Sequence, residues 1–328
     1  MRARRRQRQR QRQRQRGFTL IELMISLVLF SLVVAGMLSV AVSMSSGFRE
    51  QQMAVETESS ARSSMDFIAE ALRGASPGVP ISNIQHVNTC ATGAFSITNS
   101  ATAPDQLTMV FASGAVVTSL RTAYQAGTTA ITVTDATQLA IGDTLLVTDL
   151  DQGHLMQVVS VNAGTGFVGL AAQSCGTLAL PVAGYTPGSL VIRVLRATLS
   201  VGLIDGIPTL LMDPDAEGPA TAEPLAEGVE DMQIAVGIDG NGDGTISELG
   251  GVAGDDEWIF NVAGEVQPAG VVRGVRITLI ARATNPVVGN TTYKRPGSED
   301  RPIAGVTDAF RRRALTSMIE VRNLGGSP

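Results

Sequence analysis

Lysine, histidine, cysteine and aromatic side chains are all scarce in this 328-residue chain. There is one lysine, Lys294, with two histidines, His86 and His154, and two cysteines, Cys90 and Cys175. Such counts argue against a phosphate-binding P-loop, a Schiff-base lysine and a histidine-rich metal centre. Aromatics make up 4% of the residues, whereas glycine appears 35 times. That balance favours a loop-rich, β-containing body over a helical bundle. Charged residues are 17% and hydrophobic ones 44%, so composition does not mark the chain as disordered. The length allows one large domain or two modest ones.

Cations are also missing from most of the chain. Nine of the 25 Lys and Arg residues fall within the first 16 positions, and the remaining sixteen face 30 Asp and Glu. An acidic body argues against direct nucleic-acid binding, because that affinity rests on cations neutralising phosphates. Enzyme motifs are matched by letters only. Gly164-Thr-Gly166-Phe-Val-Gly169 has dinucleotide-fingerprint spacing but lies between strand-like runs with no helix after it, so it reads as a turn. Gly74-Ala-Ser76-Pro-Gly78 copies a nucleophile elbow but follows a helix, so it reads as a helix stop. With no acid, base or nucleophile constellation, the chain is not expected to be an enzyme.

What is present is concentrated at the amino terminus. Residues 1–16 alternate Arg and Gln as a low-complexity basic tail. From Leu23 to Ser46 no residue is charged. At about 1.5 Å per residue, that run spans about 36 Å as a helix, enough for a bilayer core. It is too long for the apolar core of a secretory signal peptide. The arginines place its N-terminal end in the cytoplasm by the positive-inside rule. A plain anchor accounts for the length but not for Glu22, because an ionised group inside a membrane costs roughly 2.5–3.5 kcal/mol.

The block Gly17-Phe18-Thr19-Leu20-Ile21-Glu22-Leu23-Met24-Ile25 behind a basic leader resembles the class III signal of type IV prepilins and type II secretion pseudopilins. The resemblance implies cleavage after Gly17 by a prepilin peptidase and methylation of the new amino terminus at Phe18. It also implies that Glu22 recruits the subunit into a filament by pairing with a neighbour's terminal amine, which would offset the membrane cost of a bare carboxylate. One departure is visible: many major pilins have a proline partway along this helix, whereas the first proline here is Pro77. Residues 47–73 carry Met65, Ile68 and Leu72 at helical spacing, and Gly74, Pro77, Gly78 and Pro80 stop the helix. The expected organisation is a cleaved leader (1–17), a transmembrane helix (18–46), an amphipathic continuation (47–76) and a head (77–328). This is an α+β chain whose long pilin helix precedes a β-rich, antiparallel-sheet head.

Within the head, Thr129–Thr134, Leu145–Thr148, Gln157–Val161, Arg273–Arg282 and the alternation Leu315, Ser317, Ile319, Val321 read as strands. Several landmarks resemble the PilW family of minor pilins. They are Leu225–Ile234 followed by an Asp/Gly-rich loop, Val275–Leu279, the ending Arg312-Arg313 … Ile319–Asn323, and Ile141–Asp149. Asp239-Gly-Asn241-Gly-Asp243-Gly-Thr245-Ile-Ser-Glu248 has the oxygen spacing of a calcium loop. Its match to an EF-hand is partial, since Glu248 comes two positions early, and the alternative is a solvated hairpin turn. Cys90 and Cys175 both lie beyond the membrane, where an isolated pair is expected to be bridged. Closing that loop would contribute about 4–5 kcal/mol in the chain-entropy model; the alternative is two unconnected buried thiols.

Together these features lead to the expectation of a PilW-like minor pilin that enters and primes a type IV pilus. It would be held first in the inner membrane with the head in the periplasm, and later in the pilus at the cell surface. Its partners would be other minor and major pilins, prepilin peptidase and the inner-membrane assembly machinery. Calcium is the one cofactor suggested. The alternatives are a minor pseudopilin of a type II secretion system, or a calcium-binding adhesive module on a plain membrane anchor.

Overall fold

The computed structural model describes residues 18–75, 79, 84–87, 93–125, 128–172, 184–215, 221–239, 246, 257–265, 271–287 and 291–320. The chain divides into two compact units, residues 1–52 and 53–328.

A single helix, α1, runs from Leu20 to Gly74. No proline interrupts it, and the Ala75 amide closes its last turn by donating to the Leu72 carbonyl at 3.2 Å. Within the first unit none of its residues is buried. In the second unit Thr57, Ala61, Ser64, Met65, Ile68, Ala69 and Leu72 are buried, a spacing of three and four that defines one helical face. The sequence placed the start of the amphipathic part at residue 47, but burial begins only at Thr57.

The head contains β1 (Ile84–His86), β2 (Phe95–Thr98), β3 (Gln106–Ser119), β4 (Ala130–Thr132), β5 (Thr144–Thr148), β6 (Gly153–Asn162), β7 (Phe167–Leu170), β8 (Leu190–Ile204), β9 (Ile207–Asp213) and β10 (Glu223–Glu227). These ten form one sheet. Its main path runs β10-β9-β8-β5-β6-β7-β4, with β3 also on β8, β2 on β3 and β1 on β6. A second sheet has the order β12-β11-β13-β14, from β11 (Val229–Asp239), β12 (Glu257–Ile259), β13 (Val271–Arg282) and β14 (Arg312–Glu320). Among the described strands every pairing is antiparallel except that of β1 with β6. Each strand read from the sequence is present, trimmed or extended by a few residues, and Val321 lies outside the described residues. Gly164–Gly166 lies in the turn between β6 and β7, where Gly166 takes a φ of 71°.

One core joins Met65, Ile68 and Leu72 of α1 to both sheets. Leu107, Leu146, Val194 and Leu199 enter it from the first sheet, and Met232, Ile234, Val275, Ile277 and Leu279 from the second. A second core gathers Leu120, Tyr124, Ile131, Leu145, Val147, Val158, Val168 and Tyr185. The uninterrupted run Leu145-Leu146-Val147 follows from this. Side chains alternate faces along a strand, and β5 has a hydrophobic core on each of its faces.

Strand β13 carries Val275, Ile277 and Leu279 on one face and Arg276, Thr278 and Ile280 on the other. Val275, Ile277 and Leu279 are fully buried, but so is Ile280 opposite them, and Thr278 is 4% exposed. That opposite face is bonded to Glu299 of the segment 291–311. The Glu299 carboxylate accepts from Arg276 Nε and Nη2 at 3.0 and 2.7 Å and from the Thr278 hydroxyl at 3.3 Å.

Candidate assembly site

The amino-terminal segment presents exposed apolar side chains. Phe18 is 81% exposed, and apart from the half-buried Val34 the leucines, valines and isoleucines of residues 20–42 are more than half exposed. The helix that carries them is long and apolar enough to cross a membrane. Along its axis Ser26 and Ser31 return their hydroxyls to the backbone, donating to Glu22 O and Val28 O at 2.8 Å each. This satisfies polar atoms that a hydrocarbon environment would leave bare.

Glu22 sits at the head of α1. Its Oε2 accepts from the Thr19 amide at 3.3 Å and from the Thr19 hydroxyl at 3.2 Å. Thr19 Oγ1 in turn accepts from the Glu22 amide at 3.3 Å. This reciprocal pair is a capping box, with Thr19 as the N-cap and Glu22 three residues on. A carboxylate in the first turn also suits the positive end of the helix dipole. The sequence reading missed Thr19, although Thr19-Leu-Ile-Glu22 carries the T-x-x-E signature of such a cap. Gly17 lies outside the described residues.

The remaining site residues are placed less completely. Asp239 ends β11, is 2% exposed, and its Oδ2 lies 2.8 Å from Arg273 Nε. The first carboxylate of the expected calcium loop is therefore engaged by a guanidinium. Asn241, Asp243, Thr245 and Glu248 lie outside the described residues, as do Cys90 and Cys175. Among the described residues no group of three or more His, Cys, Asp or Glu side chains is placed to hold a metal.

Two buried polar clusters in the head were not foreseen. In the first sheet His154 is fully buried, with Nδ1 2.6 Å from the Tyr185 hydroxyl. Burial pushes its pKa down to about 4, against a smaller upward pull from Asp149. In the second, the fully buried Asp231 carboxylate accepts from Arg301 Nη1 at 2.6 Å and Arg295 Nη1 at 2.9 Å. Beside it Asp105, 1% exposed, accepts from the Ser100 and Ile234 amides at 2.8 Å each. Burial, with Asp300 and Asp231 nearby, pushes its carboxyl up to about 7 against those two bonds. Asp231 lies more than sixty residues from its two arginines, and Asp105 lies 129 from Ile234, so no local signal announces these pairs.

Two regions of the chain match known families. Residues 12–38 match the prokaryotic N-terminal methylation motif, and residues 198–323 match the model of the type IV pilus-assembly protein W. The second match runs from the later part of β8 to just past β14 and so takes in the whole second sheet. No curated protein matches the chain. Among solved structures the chain is similar to a type IV-like pilin from Thermus thermophilus, with 13% identity, 83% of this chain and 98% of that chain covered, and a TM-score of 0.36. That structural likeness is too loose to carry argument. The chain thus joins a prepilin-type methylation motif to a PilW-type carboxy-terminal region, and its role is pilus-related.

Proposed function

We propose that this protein is a minor pilin that enters a type IV pilus and primes its assembly. The observation that carries the reading is the order of parts along one chain. A basic leader and the Gly17-Phe18 junction come first. Glu22 follows on the first turn of an unpartnered apolar helix, and a PilW-type sheet lies at the other end.

In this reading the peptidase cuts between Gly17 and Phe18 and methylates the Phe18 amine. The apolar part of α1 stores the subunit in the inner membrane with the head in the periplasm. Glu22 is held meanwhile by its own Thr19, which reduces the cost of a carboxylate inside the bilayer. During assembly the terminal amine of a neighbouring pilin takes over the charge. The test is the mass of the mature amino-terminal peptide from membrane-purified protein. N-methyl-Phe18 is expected; a retained Met1, or an unmethylated internal start, would overturn the proposal.

A further inference from the structure

The search leads to the buried polar cluster where the loop 99–105, strand β11 and the turn 298–301 meet. Four of its buried side-chain atoms have no hydrogen-bond partner in the protein: Asn99 Oδ1, Gln233 Oε1, Ser298 Oγ and Asp300 Oδ1. Gln233 is fully buried and Asp300 is 7% exposed. All four are oxygens. Each is expensive to bury unpaired, at roughly 1–3 kcal/mol.

The two amides cannot cure this by turning over. Asn99 Nδ2 donates to Asp300 Oδ2 at 2.8 Å. Gln233 Nε2 donates to the Ala103 carbonyl and to Asp231 Oδ1 at 3.0 Å each. Reversing either amide would set oxygen against oxygen, so the network itself fixes both orientations. The guanidiniums nearby are already directed elsewhere. Arg301 donates to Asp231, while Arg295 donates to Asp231 and to the carbonyls of Pro296 and Pro302. Neither guanidinium bonds to any of the four unpartnered oxygens.

We propose that this cluster is a calcium site, with Asn99 Oδ1, Gln233 Oε1 and Asp300 Oδ1 as ligands and the Asp105 carboxylate completing the charge. Ca²⁺ accepts mixed sets of carboxylate and amide oxygens in flexible geometry, whereas Mg²⁺ demands a stricter octahedron and keeps its waters. Two carboxylates balance a divalent ion. The like charges of Asp105 and Asp300, which repel in the metal-free cluster, become co-ligands. The site is distinct from the loop 239–248, and it has a mechanical consequence: the ion would tie the turn 298–301 and the loop 99–105 to the middle of β11. It does not depend on the pilus reading.

The experiment uses the full chain in detergent micelles. Melting is followed through Trp258, the only tryptophan, which lies on β12 of the same sheet. With about 5 mM CaCl2 in place of chelator, and a dissociation constant in the range of about 10⁻⁴ M seen in extracellular modules, the transition should rise by roughly 4–9 °C. Asp300→Asn should abolish the rise while melting normally in chelator. Asp243→Ala should leave the rise intact. Identical melting of the wild type in both buffers would overturn the site. So would loss of the rise in Asp243→Ala with its retention in Asp300→Asn, since the ion would then reside in the 239–248 loop.

Discussion

The two ends of α1 share one continuous backbone and opposite relations to the rest of the protein. Residues 20–52 are the more apolar stretch, yet none of them is buried. Residues 53–74 carry Glu56, Glu58, Arg62, Asp66, Glu70 and Arg73, yet they supply the helix's whole contribution to the core. Burial normally follows apolarity, so the inversion is informative. The later end is amphipathic and satisfied by its own head. The earlier end is apolar on every side, which suits lipid and then neighbouring helices. Intramembrane carboxylates are functional by default, and Glu22 is the only charged residue between Phe18 and Phe48.

The largest effect is therefore expected at Glu22. In Glu22→Ala, recovery of the subunit in sheared filaments should fall by on the order of a hundredfold, the equivalent of the roughly 2.5–3.5 kcal/mol that an unpaired charge costs in the bilayer. Insertion and processing should stay normal, because the substitution removes that cost. Unchanged incorporation would break the comparison at its functional end.

Next comes a matched pair of truncations on the same helix. Leu72 is fully buried and Leu38 is 60% exposed. Leu72→Ala should destabilise the head by about 2–5 kcal/mol, lowering its melting transition by roughly 5–15 °C. Leu38→Ala should leave that transition unmoved to within about 0.5 kcal/mol. Equal shifts in the two variants would mean that the exposed end is coupled to the head after all.

The same contrast explains what the sequence disclosed. The apolar run, its helical extent, the stop at Gly74 and the strands β13 and β14 are local patterns with fixed periods, and all are found in the fold. The Glu22 motif is likewise a local string. The cover over β13 was illegible, because residues 283–311 are rich in Pro, Gly and charge and read as loop. Asp231 meets Arg295 and Arg301 across more than sixty residues. The sheet order, which sets β5 between β6 and β8, depends on crossovers that no periodicity encodes. Thr19 was legible but masked by the more conspicuous Glu22.

Acid should separate the two ends next. His154 has a pKa pushed below its ordinary 6.5 to about 4, so the folded head favours the neutral ring. Its contribution is fully present above pH 6.5 and is lost as pH falls toward 4, by about 3 kcal/mol at most. Melting of the head between pH 7.5 and 4.5 should show this loss, and His154→Gln should make the profile shallower by several degrees. Helicity of residues 20–52 should not follow His154 in either protein. An unchanged profile in the variant would assign the acid sensitivity to other groups.

The smallest expected effect is at Thr19, and it tests how Glu22 is kept before assembly. The capping box satisfies the Glu22 amide through Thr19 Oγ1, and the Glu22 carboxylate answers the Thr19 amide and hydroxyl. Thr19→Ala removes the hydroxyl and should cost about 1 kcal/mol of first-turn stability, or about a fivefold change in an equilibrium. Thr19→Ser should retain most of it. In micelles, amide exchange at Leu20–Leu23 should speed up about fivefold in the alanine variant, with no change at Ile68–Leu72, where core packing holds the helix. If exchange at the first turn is unaffected, the hydroxyl contributes nothing there, and Glu22 is held only by the backbone amide of residue 19. A carboxylate with one partner fewer would be easier for a neighbour's amine to capture, so the alanine variant should then enter filaments no less readily than the wild type.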